Sequence, residues 1–274
     1  MRPKRSLGQN FLKNVGIAEK MVSLAEVGRH DTVVEVGPGR GMLTQVLLRY
    51  ASHVIAVEKD DNLYEFLLST FRDSRELELL HQDILESDLS RVIPDGAKIV
   101  ANLPYNIATQ LIIRLVDHAR RVTSMVVMLQ KEVARRICAR VGEREYSYLS
   151  VVVAAGFDAS PGFVVGPNNF LPRPKVDSLV IRMSPKNSPL PLEDMDVFRR
   201  VVACAFGQRR KTLRNSLARL PLMDEDIMNE SSSWAGISLG SRPQEVSPEQ
   251  FHSFSKNYEK FLRAAPYIPQ SADE

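Results

Sequence analysis

Residues 32–41 read TVVEVGPGRG, an apolar strand that runs into three glycines in a G-x-G-x-G pattern. Further apolar strands are predicted at 53–57 and 77–81, and helical patterns at 42–50 and 61–71 separate the three strands. Strands that alternate with helices predict a parallel sheet covered by helices on both faces. We therefore predict an α/β fold built from βαβ units.

Composition and charge restrict the classes of protein that need to be considered. The 274 residues are 44% hydrophobic and 25% charged, which is typical of a globular protein with one α/β domain and a smaller companion. A formal net charge of +3 is too small to indicate a nucleic-acid partner by itself. The two cysteines, Cys138 and Cys204, have no metal-ligand spacing, so we predict neither a zinc site nor a disulfide scaffold.

The ends and the linker suggest the cellular location and the domain organisation. Residues 1–10 are basic without the apolar core of a signal peptide, and no apolar run reaches the length of a membrane span. We expect a cytoplasmic protein with no membrane partner. The proline-rich segment 184–192 is typical of a linker, so we predict one domain over 1–185 and a helical domain over 186–274.

Two acids and a proline near the glycine turn indicate which kind of ligand it can bind. Glu58 ends the second strand, where βαβ nucleotide folds place the acid that binds a ribose diol. Asp83 follows the third strand and can either accept from the exocyclic amine of an adenine or cap the following turn. Pro38 removes a backbone donor that a pyrophosphate requires, so the turn departs from the dinucleotide pattern.

The fourth predicted strand ends in an unusual turn. The apolar residues 99–101 are followed by Asn102-Leu103-Pro104-Tyr105 and then by a helical pattern over 107–115. This combination at the carboxyl end of a strand can bind a planar, hydrogen-bonding group such as a base. The alternative is an ordinary strand-to-helix turn with Asn106 as N-cap.

The rest of the chain adds strands, helices and one notable aromatic ring. Strands are predicted at 124–129, 148–157, 162–165 and 178–183, and helices at 130–138, 195–206, 210–220 and 247–262, with a turn around Trp234. Phe170 lies on a proline-containing segment that we expect to be exposed. Its ring can stack on an extruded base or tuck back under the sheet, and the ring alone favours the second.

Basic residues are concentrated in two regions. Between 114 and 144 there are eight Lys/Arg against three acids, and between 199 and 219 there are seven with no acid. Such a cluster at a helix start can follow an RNA backbone, although surface helices are often basic without binding anything. The candidate RNA-binding residues are Arg135, Arg136, Arg209, Arg210, Lys211 and Arg214.

Five motifs occur together in one order. They are SLGQNFL (6–12), EVGPGRG (35–41), NLPY (102–105), NFLPRPKVDS (169–178) and FGQRRKTL (206–213). The combination closely resembles the ribosomal RNA adenine dimethyltransferase family and is nearest to its bacterial small-subunit branch. The resemblance implies a Rossmann-like, S-adenosylmethionine-dependent methyltransferase sheet with helices on both faces, plus a small all-helical C-terminal domain.

The resemblance also implies an activity and its partners. The expected reaction is conversion of two adjacent adenosines near the 3′ end of 16S small-subunit rRNA to N6,N6-dimethyladenosine during small-subunit biogenesis. The expected substrate is the rRNA within an immature small ribosomal subunit. We further expect a monomer that uses no metal.

The same resemblance implies roles for residues at the predicted cofactor site. Asn10 and Leu12 would close over S-adenosylmethionine, and the Gly37 backbone would lie against its methionine part. Glu58 would hold the ribose hydroxyls, and Asp83 would hold the adenine N6 of the cofactor.

On the target side, Asn102 would lie between the cofactor and the adenine to be methylated. Its oxygen and the carbonyl of Leu103 or Pro104 can accept the two N6 hydrogens, which directs the nitrogen lone pair toward the methyl group. Tyr105 would stack on one face of the target ring and Phe170 would cover the other.

Three alternatives remain open from the sequence. A large-subunit rRNA adenine methyltransferase of the antibiotic-resistance type would share the glycine turn and the Asn102 turn. A ribosome assembly factor would bind immature small subunits with methylation secondary. A nicotinamide-dependent dehydrogenase would explain Gly37 and Glu58 but would leave Asn102 to Tyr105 without a role.

Overall fold

The structure is a computed structural model that describes residues 9–190 and 195–264. Residues 6–8 of the first motif and 191–192 of the predicted linker lie outside the described residues. Contacts divide the described chain into two compact units, the first with 9–139 and 156–189 and the second with 140–155, 190 and 195–264. The sequence-based division at 185 places 140–155 in the first domain, whereas these residues group by contact with the second unit.

The first unit is an α/β sandwich with a mixed sheet. Up to residue 139 its elements in chain order are β1 (Phe11–Leu12), α1 (Val15–Leu24), β2 (Thr32–Val36), α2 (Met42–Tyr50), β3 (His53–Glu58), α3 (Asp61–Thr70), β4 (Leu77–His81), α4 (Leu89–Val92), β5 (Ala97–Asn102), α5 (Ala108–Val116), β6 (Val122–Gln130) and α6 (Lys131–Cys138). From residue 156 it continues with β7 (Phe157–Val165), β8 (Phe170–Leu171) and β9 (Ser178–Pro185). The predicted α/β class with helices on both faces is confirmed.

The strand order creates the place where a ligand can bind. The seven-stranded sheet has the order β4-β3-β2-β5-β6-β9-β7, with parallel pairing from β4 to β6 and antiparallel pairing of β9 with its two neighbours. The chain moves outward from β2 to β3 and β4, then returns to β5 on the other side of β2. Ligands of open α/β sheets bind at the carboxyl ends of the strands at such a reversal.

A short ribbon brings the N-terminal motif to the late proline-containing motif. Strands β1 and β8 pair antiparallel, with Leu12 opposite Phe170 and Phe11 opposite Leu171. The backbone N–H of Lys13 also donates to the carbonyl of Asn169 at 2.9 Å. Two motifs separated by about 150 residues therefore lie side by side.

The second unit is helical and begins inside the region predicted as sheet. It contains α7 (Tyr148–Ala154), α8 (Met195–Gly207), α9 (Leu213–Leu217), α10 (Glu225–Ala235) and α11 (Pro248–Ala264). The predicted strand over 148–157 is wrong, because residues 148–154 form a helix and β7 starts at Phe157. The Ser147 N–H donates to Ser150 Oγ at 2.9 Å at the start of α7, and the run of valines that suggested a strand is buried within this unit.

The predicted turn around Trp234 is also wrong. Trp234 belongs to the last turn of α10, which Asp224 caps by accepting from the Ile227 N–H at 2.8 Å. Three consecutive serines weaken the helical signal of this segment, but buried Ser231 donates to Asn257 Oδ1 on α11 at 3.0 Å. Across the two described ranges, no helix is long and apolar enough to cross a membrane.

Candidate active site

A pocket lies at the carboxyl ends of the central strands, where the order of the sheet reverses. It encloses about 1000 Å³, including open solvent at its mouth. Predicted cofactor and target residues lie together in its wall, namely Asn10, Leu12, Gly37, Glu58, Asp83, Asn102, Leu103, Pro104 and Tyr105. Parallel strands explain this convergence, because their carboxyl ends meet at one edge of the sheet.

The glycine turn after β2 admits two other parts of the pocket wall. Gly37 has a φ of +68°, and a Cβ at this position would lie 3.0 Å from Pro104 Cγ. Gly39 has a φ of +60°, and its Cβ would lie 2.9 Å from Phe11 Cδ1. The absence of side chains therefore lets the Asn102 turn and strand β1 pack directly against the turn, in addition to favouring its left-handed backbone.

Glu58 joins the end of β3 to the glycine turn. Its side chain is buried, and Oε2 accepts from the Gly39 N–H at 3.2 Å while Oε1 accepts from the Asp60 N–H at 2.9 Å. Burial raises the pKa of Glu58, and the two backbone hydrogen bonds oppose that shift. Each carboxylate oxygen has a second lone pair, so Glu58 can still accept from hydroxyl groups in the pocket.

Asp83 caps the turn after β4 and also lines the pocket. Its Oδ1 accepts from the Leu85 N–H at 2.9 Å, which is the predicted turn cap, and its Oδ2 accepts from Lys59 Nζ. Burial alone would raise the pKa of Asp83, but the hydrogen bonds from Lys59 and Leu85 outweigh it and leave the pKa below its ordinary value. The carboxylate is therefore ionised at neutral pH and faces the pocket.

The Asn102 side chain has a defined orientation. Its Nδ2 donates to the backbone carbonyl of Asn10 at 3.1 Å. Because a carbonyl can only accept, the amide must present its nitrogen there, and Oδ1 is left as an acceptor. The N-terminal motif therefore aligns the amide at the end of β5.

Tyr105 is anchored to the late motif. Its hydroxyl shares a hydrogen bond of 2.7 Å with Oγ of Ser178, the first residue of β9. Burial raises the pKa of Tyr105, so the hydroxyl is neutral throughout the physiological range. The ring is thereby fixed in the pocket wall beside Pro104.

The sequence matches a known protein family over nearly its whole length. The model of the family described as Ribosomal RNA adenine dimethylase matches residues 1–260. The chain belongs to this family. As a ribosomal RNA adenine dimethylase it is an S-adenosylmethionine-dependent rRNA adenine N6,N6-dimethyltransferase, so the predicted family, enzyme class and cofactor are confirmed. The nicotinamide alternative is thereby excluded.

Individual relatives cover nearly the whole dimethylase chain. A protein from Moorella thermoacetica named Ribosomal RNA small subunit methyltransferase A is 40% identical over 265 residues, covering 93% of this chain and 92% of that protein. A solved dimethyladenosine transferase from Plasmodium falciparum matches with a TM-score of 0.75 and 26% identity, covering 91% and 98% of the two chains. The solved 23S rRNA methyltransferase ErmE matches with a TM-score of 0.66 and 26% identity, covering 91% and 100%.

Phe170 lies elsewhere than the resemblance implied. Its side chain is 2% exposed and packs with Leu12 and Met21 in the apolar core of the dimethylase. Phe170 does not line the pocket in this structure, so its role in covering the target base stays a prediction that this buried position does not support. The ring taken alone favoured this buried position, since an aromatic side chain loses more water-exposed apolar surface in the core.

The basic residues of the dimethylase lie on the surfaces of both units. Arg135 and Arg136 are exposed on α6, and Arg136 is paired with Glu132. The helix predicted from 210 begins at Leu213, so residues 209–211 lie in the preceding exposed turn. Arg214 pairs with Glu225 at 3.0 Å, and exposed pairs of this kind are weak enough to be exchanged for phosphate contacts.

Glu35 is a pocket residue that the sequence analysis did not single out. It lies within β2, is 1% exposed, and accepts from Thr44 Oγ1 at 2.6 Å. Burial, reinforced by the nearby charge of Glu58, raises the pKa of Glu35 to about 8 against the opposing hydrogen bond from Thr44. An acid inside an otherwise apolar strand is the signal that could have identified it.

Within residues 9–190 and 195–264, no group of three or more His, Cys, Asp or Glu could hold a metal ion.

The buried Glu35 predicts a pH dependence of stability. The folded protein keeps this proton up to about pH 8, whereas the unfolded chain releases it near pH 4.5. Between these values unfolding releases a proton, so rising pH lowers the free energy of unfolding by at most about 1.4 kcal/mol per pH unit. Between pH 5 and pH 8, we expect the free energy of unfolding of the wild type to fall by on the order of 3 kcal/mol relative to that of Glu35→Gln, because glutamine does not titrate. Urea unfolding of both proteins measures this difference, and parallel pH profiles would contradict the prediction.

Proposed function

We propose that this dimethylase modifies two adjacent adenosines near the 3′ end of 16S rRNA within an immature small ribosomal subunit, as a cytoplasmic monomer. The orientation of the Asn102 amide is the observation that carries the catalytic part of this proposal. The choice of the small subunit is supported by similarity: relatives named for that subunit are 37–40% identical, against 26% for the 23S rRNA enzyme.

The pocket residues fit S-adenosylmethionine. The backbone at Gly37 would lie against the methionine part, Glu58 would accept from the ribose hydroxyls, and Asp83 would accept from the adenine N6 amine. Asn10 and Leu12 would close the pocket from the side of strand β1. When bound, the cofactor supplies a methyl group that is already activated by its sulfonium.

The chain's own contribution to the reaction is alignment and charge stabilisation. The lone pair of an adenine N6 is delocalised into the ring, so the amine is a poor nucleophile. Asn102 Oδ1 and the carbonyl of Leu103 or Pro104 would accept its two hydrogens, which localises the lone pair and stabilises the positive charge that develops on nitrogen. Tyr105 would stack against the base, and the pocket would hold the reacting atoms in line. One N6 proton leaves to water after alkylation.

A positional experiment tests the proposed substrate. Purified enzyme with isotope-labelled S-adenosylmethionine is incubated with under-methylated small and large subunits, and the methylated adenosines of both rRNAs are mapped by mass spectrometry. We expect label in two adjacent adenosines of the small-subunit rRNA. Label in the large subunit alone would overturn the proposal. Stable binding to small subunits without transfer would favour the assembly-factor alternative.

The exposed turn before α9 predicts a salt-dependent contribution to RNA binding. A plot of log K for RNA binding against log salt concentration has a negative slope, to which each phosphate contact contributes roughly 0.7–0.9 in magnitude. Replacing Arg209, Arg210 and Lys211 with glutamine should therefore make this slope shallower by about 2. The loss of affinity should therefore be largest at low salt. Filter binding at several salt concentrations measures it.

A matched control for this triple variant lies in the first unit. Arg72, Arg75 and Arg91 are exposed basic residues far along the chain from the turn, and replacing them with glutamine makes the same change in net charge. We expect this control to retain nearly the wild-type slope. Equal slopes for both triple variants would mean that only net charge matters and that the turn makes no specific phosphate contacts.

A further inference from the structure

Arg114 holds an irregular loop next to the pocket. It projects from α5, and its guanidinium donates to three backbone carbonyls, those of Ile84 at 2.8 Å, Leu85 at 2.5 Å and Ser87 at 2.8 Å. The loop follows β4 and precedes α4. A planar guanidinium can satisfy three carbonyls that approach from one side, whereas an ammonium group lacks this fixed fork of donors.

The loop that Arg114 holds contains Asp83. Within the loop, Asp83 Oδ1 accepts from the Leu85 N–H, and the Asp83 carbonyl accepts from Ser87 Oγ at 2.6 Å. Asp83 and Ile84 line the pocket, and the positive charge of Arg114 contributes to the lowered pKa of Asp83. The same side chain therefore affects both the position of this carboxylate and its ionisation.

Helix α5 connects this loop to another part of the pocket wall. It starts at Ala108, directly after the Asn102–Ile107 turn, all of which lines the pocket. The Ile107 carbonyl accepts from the Leu111 N–H at 2.9 Å, so the turn continues into the helix without a break. A single rigid helix therefore carries the target-side turn at one end and the guanidinium that holds the Asp83 loop two turns later.

We propose that Arg114 is a positioning residue for the adenine end of the cofactor site. It fixes the Asp83 loop against α5 so that the carboxylate can accept from the adenine N6 amine, and it thereby determines how strongly the enzyme prefers adenine over purines without that amine. This inference rests on the proposed placement of the cofactor's adenine at Asp83. Arg114 touches neither reacting group and acts through the loop contacts and its charge near Asp83.

The test compares two ligands that differ at one position. S-adenosylhomocysteine carries the N6 amine, and S-inosylhomocysteine has a carbonyl oxygen there, which would face the Asp83 carboxylate as acceptor against acceptor. Calorimetry on the full-length enzyme should give a preference of at least about tenfold for the adenine ligand in the wild type, because a carboxylate built to accept is left unpaired by the analogue. The ratio of the two Kd values is the readout.

The two Kd values are compared in three arginine variants. Arg114→Met keeps the length of the side chain without donors, and we expect it to weaken S-adenosylhomocysteine about tenfold and to remove most of the preference. Arg114→Lys should restore only part of both. Arg120→Met makes the same chemical change at an exposed position after α5 and should behave as the wild type.

Kinetics separate positioning from a general loss of structure. For Arg114→Met we expect KM for S-adenosylmethionine to rise while kcat at saturating cofactor stays close to the wild-type value. Thermal unfolding checks that the variants are folded. If Arg114→Met does not fold, the ligand ratio of Arg114→Lys decides. If the variant is folded and the ratio of its two Kd values equals that of the wild type, even with both ligands bound more weakly, the proposal is overturned.

An Asp83→Ala variant distinguishes failure of the inference from failure of its premise. If Asp83→Ala abolishes the preference and Arg114→Met does not, the adenine lies at Asp83 but Arg114 does not control it. If Asp83→Ala retains the full preference, the adenine is bound elsewhere and the proposed cofactor placement fails. Loss of preference in both variants supports the proposal.

Discussion

Asn102→Ala is expected to lower kcat for methyl transfer by about 10²–10³-fold, the usual cost of removing one preorganised polar group from a transition state. The variant loses the Oδ1 acceptor that would draw on the N6 hydrogen of the target. It also loses the hydrogen bond from Nδ2 to the Asn10 carbonyl, which is at the edge of the cofactor site. Because Glu58 and Asp83 are untouched, cofactor affinity should change little.

The measurement combines single-turnover transfer into small subunits with calorimetric titration of S-adenosylhomocysteine. Asn62→Ala is the matched control, since Asn62 has the same side chain, is exposed on α3 and is not among the residues that line the pocket. We expect the control to retain most of the wild-type rate. Comparable rate losses in the two variants would mean that transfer does not depend specifically on the Asn102 amide.

Tyr146→Ala is expected to destabilise the helical unit by about 3–5 kcal/mol, the cost of removing a large aromatic side chain from a core. Tyr146 is 1% exposed, its ring centroid lies 6.0 Å from that of Phe206, and its hydroxyl donates to the Val246 carbonyl at 3.0 Å. Tyr146→Phe removes only the hydroxyl and should cost about 1 kcal/mol. Denaturant unfolding followed by circular dichroism measures both.

Tyr50→Ala provides the control for this series, because Tyr50 is 45% exposed on α2 and its loss should change stability by no more than about 0.5 kcal/mol.

The packing of Tyr146 also predicts that a fragment of residues 186–274 fails to fold cooperatively, since Tyr146 and α7 are missing from its core. A cooperative transition of that fragment, or a Tyr146→Ala variant as stable as the control, would contradict the role given to residues 140–155.

The two errors in secondary structure have a common cause. The valines of α7 and the serines of α10 have weak intrinsic helix propensity, and local pattern alone therefore favoured a strand and a turn. Both segments are helical because their buried side chains contact other helices of the same unit. Burial of that surface outweighs a propensity difference of less than about 1 kcal/mol per residue.

The sequence by itself determined the α/β class, the family and, apart from Glu35 and Phe170, the cofactor and target residues that lie in or near the pocket wall. Those features follow from local pattern, because an apolar strand that ends in glycines, an acid or Asn-Leu-Pro-Tyr brings its last residues to one edge of a parallel sheet. The tertiary structure alone decided the orientation of the Asn102 amide, the burial of Phe170, the pKa of Glu35, the loop contacts of Arg114 and the grouping of residues 140–155. Each of these depends on a partner that is distant in the chain, and side-chain hydrogen bonding, desolvation and packing are determined by such partners.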